Sequence, residues 1–361
     1  MASIVQVVTQ REAAGAQRVA DQLCSVFRAR GHRSDVWFLY RKADALDDAG
    51  YRDLVPRRPT AFGLPRLWFR LLRELRSQRP DAVIAHTHHA IVFVTTAALV
   101  ARVTSRIAVH HTLRRYESTS RIAILRVLRA ARITSAEIFV SDACRASHRI
   151  SPGPRAFVIH NGVGPAPSNS GTWALDPRTD RSTPLVVAVG RLARQKDHRT
   201  LIEAFASVPD AHLAVIGDGE LRDELAARIA ELGLRGRVSL VGAIEPERMA
   251  DAFGAADVVV QPSVWEAFSM VILEAMAAGK PLLVSDIAPH REALGEAARY
   301  HPSGDSDALA AGLRQLLDDD AGRASLATAA KVRSEEFTLE RMADRYLDLV
   351  AGRAPHVAGR P

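Results

Sequence analysis

Cysteine is scarce in this chain, which has 361 residues and only Cys24 and Cys144, far apart and without metal-ligand spacing. A disulfide framework is therefore not expected, and a reducing, cytoplasmic compartment is. Long apolar runs are also lacking. The longest, 90–103, is interrupted by threonines and Arg102 and is too short to cross a bilayer. The N-terminal sequence MASIVQVVTQ has no basic region before its apolar residues, so a signal peptide is not expected.

Lysine is the next scarcity, since only four of the 48 basic residues are lysine and the formal net charge is +7. The arginines are concentrated in the first half. Segment 52–79 has eight against two acidic residues, and segment 102–132 has eight against one. Such segments favour an acidic partner, namely a phosphorylated acceptor, an anionic membrane or a nucleic acid, and a solvated basic surface is the simpler alternative. Aromatic residues are few there, which disfavours nucleic acid.

The length exceeds that of one ordinary core and predicts two domains. Strand and helix patterns alternate through both halves, which predicts doubly wound parallel sheets. Segment 164–184 is dense in Pro, Gly, Ser and Asp and is the predicted linker between 1–163 and 185–337. Segment 41–65 has no clear period and is interpreted as a loop that could include a short helix. The leucines of 64–75 follow helical spacing with arginines opposite, so we expect an amphipathic helix packed on a sheet.

The stretch 256–286 reads as strand, loop, helix and strand. A loop that leaves a strand and opens a helix presents unpaired N–H groups and a positive dipole end, which together suit a phosphate. Two carboxylates lie there, Glu266 in the loop and Glu274 in the helix. Spacing alone favours a solvated helix face for Glu274.

Two further segments carry candidate residues. Gly190 and Arg191 follow a predicted strand, and Lys196 comes five residues later, so two cations could clamp a diphosphate; an exposed charged loop is the alternative. Gly217 and Gly219 end the next strand and would allow a ligand close to the backbone. Five histidines, at 86, 88, 89, 110 and 111, lack an acidic or cysteine partner nearby, so no metal site is predicted.

The segment E-A-F-S-M-V-I-L-E, from Glu266 to Glu274, resembles the EX7E motif of retaining glycosyltransferases of family 4. Its flanks A-D-V-V-V-Q-P-S and A-M-A-A-G-K-P resemble that family's setting, as do V-G-R-L-A-R-Q-K-D and V-I-G-D-G. The resemblance implies an α/β GT-B fold, with two Rossmann-like domains facing across a cleft. Domain 1–163 would bind the acceptor, domain 185–337 the nucleotide sugar, and a C-terminal helix within 338–361 would pack back on the first.

The resemblance also implies an activity, retaining hexosyl transfer from a UDP- or GDP-linked sugar to an acceptor hydroxyl. Neither a metal ion nor a cofactor beyond the nucleotide-sugar co-substrate is implied. Arg191 and Lys196 would hold the diphosphate, Glu274 the ribose, and Glu266 and His111 the donor sugar; these residues other than Glu274 are the expected catalytic set. The residues expected to bind the donor are Gly15, Gly190, Arg191, Lys196, Gly217, Gly219, Ala243, Ile244, Glu266, Phe268, Ser269, Met270, Val271 and Glu274.

Two departures from the family pattern are visible. Ala267 and Ser269 stand where the family commonly has glycine, which would narrow the sugar pocket, and Ala14 replaces one of a glycine pair. A nucleotide-sugar epimerase or phosphorylase on the same fold, and a basic nucleic-acid-binding protein, are the alternatives. The acceptor is undefined and could be a saccharide, a lipid-linked group or a natural product. Peripheral contact with the anionic inner face of a membrane is a further expectation.

Overall fold

The computed structural model describes residues 1–11, 15–41, 51–114, 118–151, 153–166, 173 and 182–355. The chain divides into two compact units. Unit 1 runs from Met1 to Gly162 and takes up the chain again from Leu339, and unit 2 is Val163–Thr338. Most of the predicted linker 164–184 lies outside the described residues.

Unit 1 is built on a parallel sheet with the strand order β3-β2-β1-β4-β5-β6-β7. Its strands are β1 (Ser3–Arg11), β2 (Arg33–Arg41), β3 (Arg52–Val55), β4 (Ala82–His86), β5 (Ser105–His110), β6 (Ala136–Phe139) and β7 (Ala156–Val158). Its helices are α1 (Gly15–Ala29), α2 (Leu64–Gln78), α3 (His88–Val100), α4 (Thr119–Ala130), α5 (Asp142–Ser147) and the C-terminal α13 (Leu339–Val350).

The C-terminal helix α13 packs against α1 of unit 1. Its sequence LERMADRYLDLV places an apolar stripe on one face, and Met342, Tyr346 and Leu349 of that stripe are buried. At the edge of this contact the Arg30 guanidinium is paired with the Asp344 carboxylate. Burial of the stripe, rather than this exposed ion pair, holds the helix in place.

Unit 2 has a second parallel sheet with the order β10-β9-β8-β11-β12-β13. Its strands are β8 (Leu185–Val189), β9 (His212–Ile216), β10 (Val238–Gly242), β11 (Val258–Gln261), β12 (Leu282–Ser285) and β13 (Arg299–His301). Its helices are α6 (His198–Phe205), α7 (Arg222–Glu231), α8 (Met249–Ala255), α9 (Met270–Ala277), α10 (Ala288–Leu294), α11 (Ser306–Asp318) and α12 (Asp320–Ser334).

Each sheet reverses the direction in which strands are added at one point, between β1 and β4 in unit 1 and between β8 and β11 in unit 2. In open parallel sheets the loops on either side of this switch point diverge at the carboxyl ends of the strands and leave a crevice for ligands. The candidate residues should therefore be sought after β1 and β4 in unit 1, and after β8 and β11 in unit 2.

Three elements differ from the sequence-based expectations. The interpretation of 41–65 as a loop is wrong at Arg52–Val55, which forms the edge strand β3 beside β2; residues 42–50 lie outside the described part. The short helix α10 and the edge strand β13 were not predicted. Among the described residues, no helix is both long enough and apolar enough to span a membrane.

Candidate functional site

Lys196 and Glu266 meet across the switch point of unit 2. Lys196 follows β8 and precedes Asp197, the N-cap residue of α6, whose side chain accepts from Thr200 N. Glu266 lies in the loop after β11. The Lys196 ammonium donates to Oε1 of Glu266, and the two side chains are 16% and 7% exposed. The chain thus places a largely buried ion pair at the point where this fold binds ligands.

The Glu266 carboxylate is held from several sides. Its Oε1 also accepts from Ser263 Oγ at 2.9 Å and Gln261 Nε2 at 3.4 Å, and its Oε2 accepts from Gln195 Nε2 at 3.2 Å. Burial raises the pKa of this carboxyl, but the charge and hydrogen bond of Lys196 outweigh burial and leave the pKa below its usual range. Glu266 is therefore ionised at neutral pH, and its orientation is fixed.

Helix α9 begins at Met270, four residues after Glu266. Ser269 is the N-cap residue, but its hydroxyl does not cap the helix. The buried Oγ has no hydrogen-bond partner among the described residues. The first N–H groups of the helix, including those of Met270 and Val271, have no acceptor within the helix, and its dipole end is positive. The Ser269 hydroxyl and these N–H groups are donors that suit an anion. Phe268, just before Ser269, is buried against Phe337, with ring centroids 5.5 Å apart.

Glu274 lies one turn further along α9 and is 9% exposed. The interpretation of this residue as part of a solvated helix face is wrong. Its neighbours Leu273 and Ala275 are fully buried, and α12 packs on α9 from the other side. A buried carboxylate costs folding free energy unless polar groups or a ligand compensate it, so this position favours a specific role.

Arg191 is the most accessible of the predicted cations, since its side chain is 71% exposed. Its Nη2 lies 3.0 Å from Oε2 of Glu220, which follows β9. An exposed pair of this kind contributes little to stability, so the guanidinium can exchange this partner for another anion.

The glycines predicted to admit a ligand are required by the packing of the loops themselves. A Cβ on Gly217 would lie 2.1 Å from Gly190 O, and one on Gly219 would lie 2.6 Å from Leu192 O. A Cβ on Gly190 would lie 3.2 Å from the Lys196 stem. The loops after β8 and β9 therefore fit together only with glycine at 217 and 219, whereas a Cβ at 190 would require the Lys196 side chain to shift. Ligand contact by these glycines stays a prediction.

The loop after β10 joins the same edge of the sheet. Gly217 N donates to Gly242 O at 2.8 Å, which fixes this loop beside the one after β9. Ala243 is exposed and Ile244 is half-buried. Both residues are therefore accessible at the carboxyl edge of the sheet, and their contact with the donor stays a prediction.

Unit 1 contains the two remaining predicted residues. Gly15 begins α1 and is exposed, with no heavy atom within 4 Å of where a Cβ would lie; Ala14 is outside the described residues. His111 follows β5, and its Nε2 lies 3.0 Å from Nδ1 of His86. Burial, and then the nearby His110, lower the pKa of His111 to about 3, so the ring is neutral at neutral pH.

His110 belongs to a different network. Its ring stacks on Phe139 and its Nε2 lies 3.1 Å from Oε2 of Glu137, which is also paired with Arg129. Burial raises the pKa of Glu137, but the hydrogen bonds of His110 and Arg129 outweigh it and lower this pKa to about 2. In the described part of the chain, no three His, Cys, Asp or Glu side chains are grouped to hold a metal ion.

Sequence reasoning missed several residues that hold the predicted ones in place. Gln195 and Ser263 orient Glu266, and Gln6 and His86 lie behind His111. His86 ends β4 and Ser263 lies two residues after β11, whereas Gln195 lies in the connection after β8 and Gln6 lies within β1. Polar residues within otherwise apolar strands, such as Gln6 in SIVQVV, were the available signal.

Two family models match the chain. The first half, residues 13–166, matches Glycosyltransferase Family 4, and residues 174–333 match Glycosyl transferases group 1. An uncharacterized glycosyltransferase of Methanocaldococcus jannaschii is 32% identical over 197 residues, which are 50% of each chain. A D-inositol 3-phosphate glycosyltransferase of Xylanimonas cellulosilytica is 28% identical over 91% of this chain and 76% of that protein.

Among solved structures, Anabaena HepE in complex with UDP and glucose superposes with a TM-score of 0.85 at 21% identity, over 97% of this chain and 100% of that one. This identity supports the fold alone. The aligned segments span about half the length of the first curated relatives, 50% and 52% of two of them. With a Glycosyltransferase Family 4 domain in the first half, a Glycosyl transferases group 1 domain in the second, and two doubly wound parallel-sheet units, the chain is a glycosyltransferase with the GT-B fold.

Proposed function

We propose that this chain transfers a hexosyl group from a UDP- or GDP-linked sugar to an acceptor hydroxyl, with retention at the anomeric carbon. The buried Lys196–Glu266 pair at the switch point of unit 2 carries the proposal. It places a cation and a carboxylate next to the open N-terminus of α9. A nucleotide diphosphate sugar needs these two kinds of group, since its phosphates are anionic and its sugar presents hydroxyl donors.

Lys196 can hold the diphosphate without leaving Glu266. An ammonium has three N–H donors, and among the described residues Glu266 is its one acceptor. Two donors therefore remain for phosphate oxygens. Arg191 adds a second, accessible cation. Both charges would stabilise the diphosphate as its bond to the anomeric carbon breaks, and they would require no metal ion for that step.

The α9 loop would bind the rest of the donor. The Ser269 hydroxyl and the N–H groups of Met270 and Val271 supply donors to a phosphate oxygen. Glu266, fixed by its three neutral donors and Lys196, accepts from hydroxyls of the donor sugar. Glu274 accepts from the ribose. As the acceptor oxygen bonds to the anomeric carbon and the bond from that carbon to the diphosphate breaks, the acceptor hydroxyl gives its proton to an oxygen of the departing diphosphate.

The acceptor or its membrane would contact the basic surface of unit 1. Helix α2 buries Leu67, Leu71, Leu72 and Leu75 and exposes Arg66, Arg70 and Arg73. Beside these arginines, Phe62 and Phe69 are 91% and 64% exposed. Exposed aromatic rings flanked by arginines suit the anionic face of a membrane or a phosphorylated acceptor. The related enzyme named for D-inositol 3-phosphate has a phosphorylated substrate, which agrees with this proposal.

The test is a donor panel. UDP- and GDP-linked hexoses are incubated with a mixture of acceptors, nucleotide release is followed, and the anomeric configuration of the product is read by proton NMR. We expect release with one nucleotide and a product that keeps the donor's configuration. Inversion would overturn retention. Interconversion of nucleotide sugars without transfer would instead identify an epimerase.

A further inference from the structure

The side chain of Gln6 has its orientation fixed inside unit 1. Gln6 lies on β1, fully buried, and its Nε2 donates to Ala20 O of α1 at 2.9 Å. A backbone carbonyl only accepts, so the amide nitrogen must face Ala20 and the amide oxygen must face the other way. That oxygen lies 3.1 Å from Nε2 of His86 at the end of β4.

The orientation of Gln6 determines the tautomer of His86. The Gln6 oxygen is an acceptor, so Nε2 of His86 must carry a hydrogen. His86 is fully buried, and burial, followed by the charge of His111, lowers its pKa well below the ordinary value, so the ring is neutral. A neutral imidazole has one N–H. Nδ1 of His86 is therefore a bare nitrogen that accepts a hydrogen bond.

The same reasoning extends one residue further to His111. Its Nε2 lies 3.0 Å from the bare Nδ1 of His86 and must therefore donate. Because the His111 ring is also neutral, its Nδ1 is bare. Among the described residues, the His111 ring makes its one hydrogen bond through Nε2, to His86, and Nδ1 makes none.

The strand end that carries His86 is held by a strained neighbour. Thr87 has φ 75° and ψ 156°, a backbone conformation that non-glycine residues rarely adopt. Its Oγ1 lies 2.5 Å from Oγ1 of Thr9, and Thr9 Oγ1 also accepts from Ala90 N. These contacts tie β4 to β1 across the switch point of unit 1. Strain that the surroundings maintain in this way is typical of functional sites.

We infer that Gln6 and His86 are positioning residues that hold His111 in the Nε2–H tautomer and leave Nδ1 as an acceptor for a sugar hydroxyl. The tautomer follows from the contacts within unit 1, and the role toward a sugar rests on the proposed function. The ligand group at Nδ1 is thereby specified as a hydrogen-bond donor. A hydroxyl qualifies, whereas a carboxylate or a phosphate oxygen does not.

The tautomer can be measured without any substrate. The full chain is labelled with 15N-histidine, and the ring nitrogens of its 13 histidines are recorded near neutral pH. The His86→Asn and His111→Asn variants assign the two rings of interest. For His86 and His111 we expect a protonated Nε2 and a bare Nδ1. A protonated Nδ1 on His111, or a tautomer mixture, would overturn the inference.

The Gln6→Met variant tests the origin of the tautomer. Methionine keeps the volume and removes the acceptor, so His86 and His111 should become tautomer mixtures. Gln10→Met, on the same strand, is the matched control and should leave both rings unchanged. Gln6→Glu is the conservative variant. A protonated buried carboxyl donates to Ala20 O and accepts from His86, and an ionised one still accepts from His86, so both rings should keep a protonated Nε2 in this variant.

Kinetic measurements then test whether the positioning of His111 matters for sugar transfer. Gln6→Met should lower kcat by about 10-fold, which is the effect of losing roughly one hydrogen bond that orients the His111 ring. Affinity for UDP or GDP alone should not change, because these ligands lack the transferred hexose that His111 is proposed to contact. A kcat equal to that of Gln10→Met would overturn the positioning role even with the tautomers as expected. Absence of any transfer by the wild type would overturn the proposed function, while the NMR result would still decide the tautomer.

Discussion

Lys196 and Glu266 are 70 residues apart in the chain and form one largely buried ion pair between the ends of β8 and β11. A buried pair of this kind is costly to break on one side, because the remaining charge loses its compensation. The pair therefore has two separable consequences, one for stability and one for the binding of anions.

Replacing Lys196 by Met should reduce both the stability of the fold and the affinity for nucleotide diphosphates. We expect the free energy of unfolding to fall by about 3 kcal/mol, since Glu266 is left buried without its cation. UDP and GDP affinity should fall as well. The double variant Lys196→Met/Glu266→Gln should recover part of the stability but none of the affinity. Urea unfolding measures the stability and calorimetry measures the nucleotide affinity. A Lys196→Met variant as stable as the wild type would contradict the predicted loss of stability.

Replacing Glu274 by Gln should weaken nucleotide binding with little effect on the fold. The amide keeps the volume of the buried side chain, but it has one neutral acceptor oxygen in place of the two charged oxygens of the carboxylate. Loss of a charge-assisted hydrogen bond of about 2 kcal/mol corresponds to roughly 30-fold in affinity. Calorimetry with UDP and GDP is the measurement, and Glu292→Gln on α10 is the control. Equal affinity in both variants would contradict the proposed contact between Glu274 and the ribose.

Much of this site was predictable because its residues lie in continuous segments. The segment from Glu266 to Glu274, which is a loop and the first turns of α9, and the segment from Gly190 to Lys196 each occupy one connection of the sheet. The burial of Glu274 had a sequence signal too, since its helix MVILEAMA is apolar on all sides. Spacing to the other carboxylate was the wrong guide, because a helix covered on both faces has no solvated side.

The remaining features depend on tertiary contacts. Strand β3 has four residues of which Leu54 is buried, and pairing with β2, rather than local pattern, makes it a strand. Strand β13 has three residues, too few for a period. The contact of Gln6 with His86 joins residues 80 apart. No local sequence pattern indicates which amide contacts which histidine ring. The contacts of the five histidines therefore became clear only from the positions of the strands in the sheet.

His148 should make the stability of unit 1 depend on pH. Burial, and then His110, lower its pKa to about 4, and its Nε2 bonds Thr112 O at 2.9 Å. The unfolded chain gains a proton on this ring below its ordinary pKa of 6.5, while the folded chain does not. Stability is therefore lost as pH falls from 6.5 toward 4, by about 2 kcal/mol at pH 5.

The His148→Gln variant checks that sign, because an amide can still donate to Thr112 O but does not titrate. The urea midpoint is measured at about pH 7 and about pH 5 for the variant and the wild type. We expect the wild type to lose more stability between the two values than the variant. Parallel losses in both proteins would show that other groups dominate the pH dependence.

Transfer should continue in excess EDTA. The charges proposed for the departing diphosphate are the side chains of Lys196 and Arg191 and the N-terminus of α9. These groups stay in place when divalent ions are chelated. The measurement compares turnover before and after chelation, and then after adding Mg²⁺ or Mn²⁺. A rate that falls with EDTA and returns with either ion would contradict the proposal.

The basic surface of unit 1 should bind anionic membranes in a salt-dependent way. Exposed Phe62 and Phe69 provide apolar insertion, and exposed Arg66, Arg70 and Arg73 provide attraction, each basic residue being worth about 1 kcal/mol near an anionic surface. The chain is sedimented with neutral vesicles and with vesicles containing phosphatidylglycerol, at low and high salt. We expect binding to the anionic vesicles that weakens as salt screens the charges.

Two variants separate the apolar from the electrostatic contribution. Phe62→Ser/Phe69→Ser should weaken binding at both salt concentrations, whereas Arg66→Gln/Arg70→Gln/Arg73→Gln should remove mainly the salt-dependent part. Val332→Ser is the matched control, because Val332 is 62% exposed on α12 of unit 2. If all variants bind as the wild type does, α2 is not the contact. If the wild type does not bind at low salt and transfers sugar to an uncharged soluble acceptor, these arginines are a solvated surface and the membrane proposal fails.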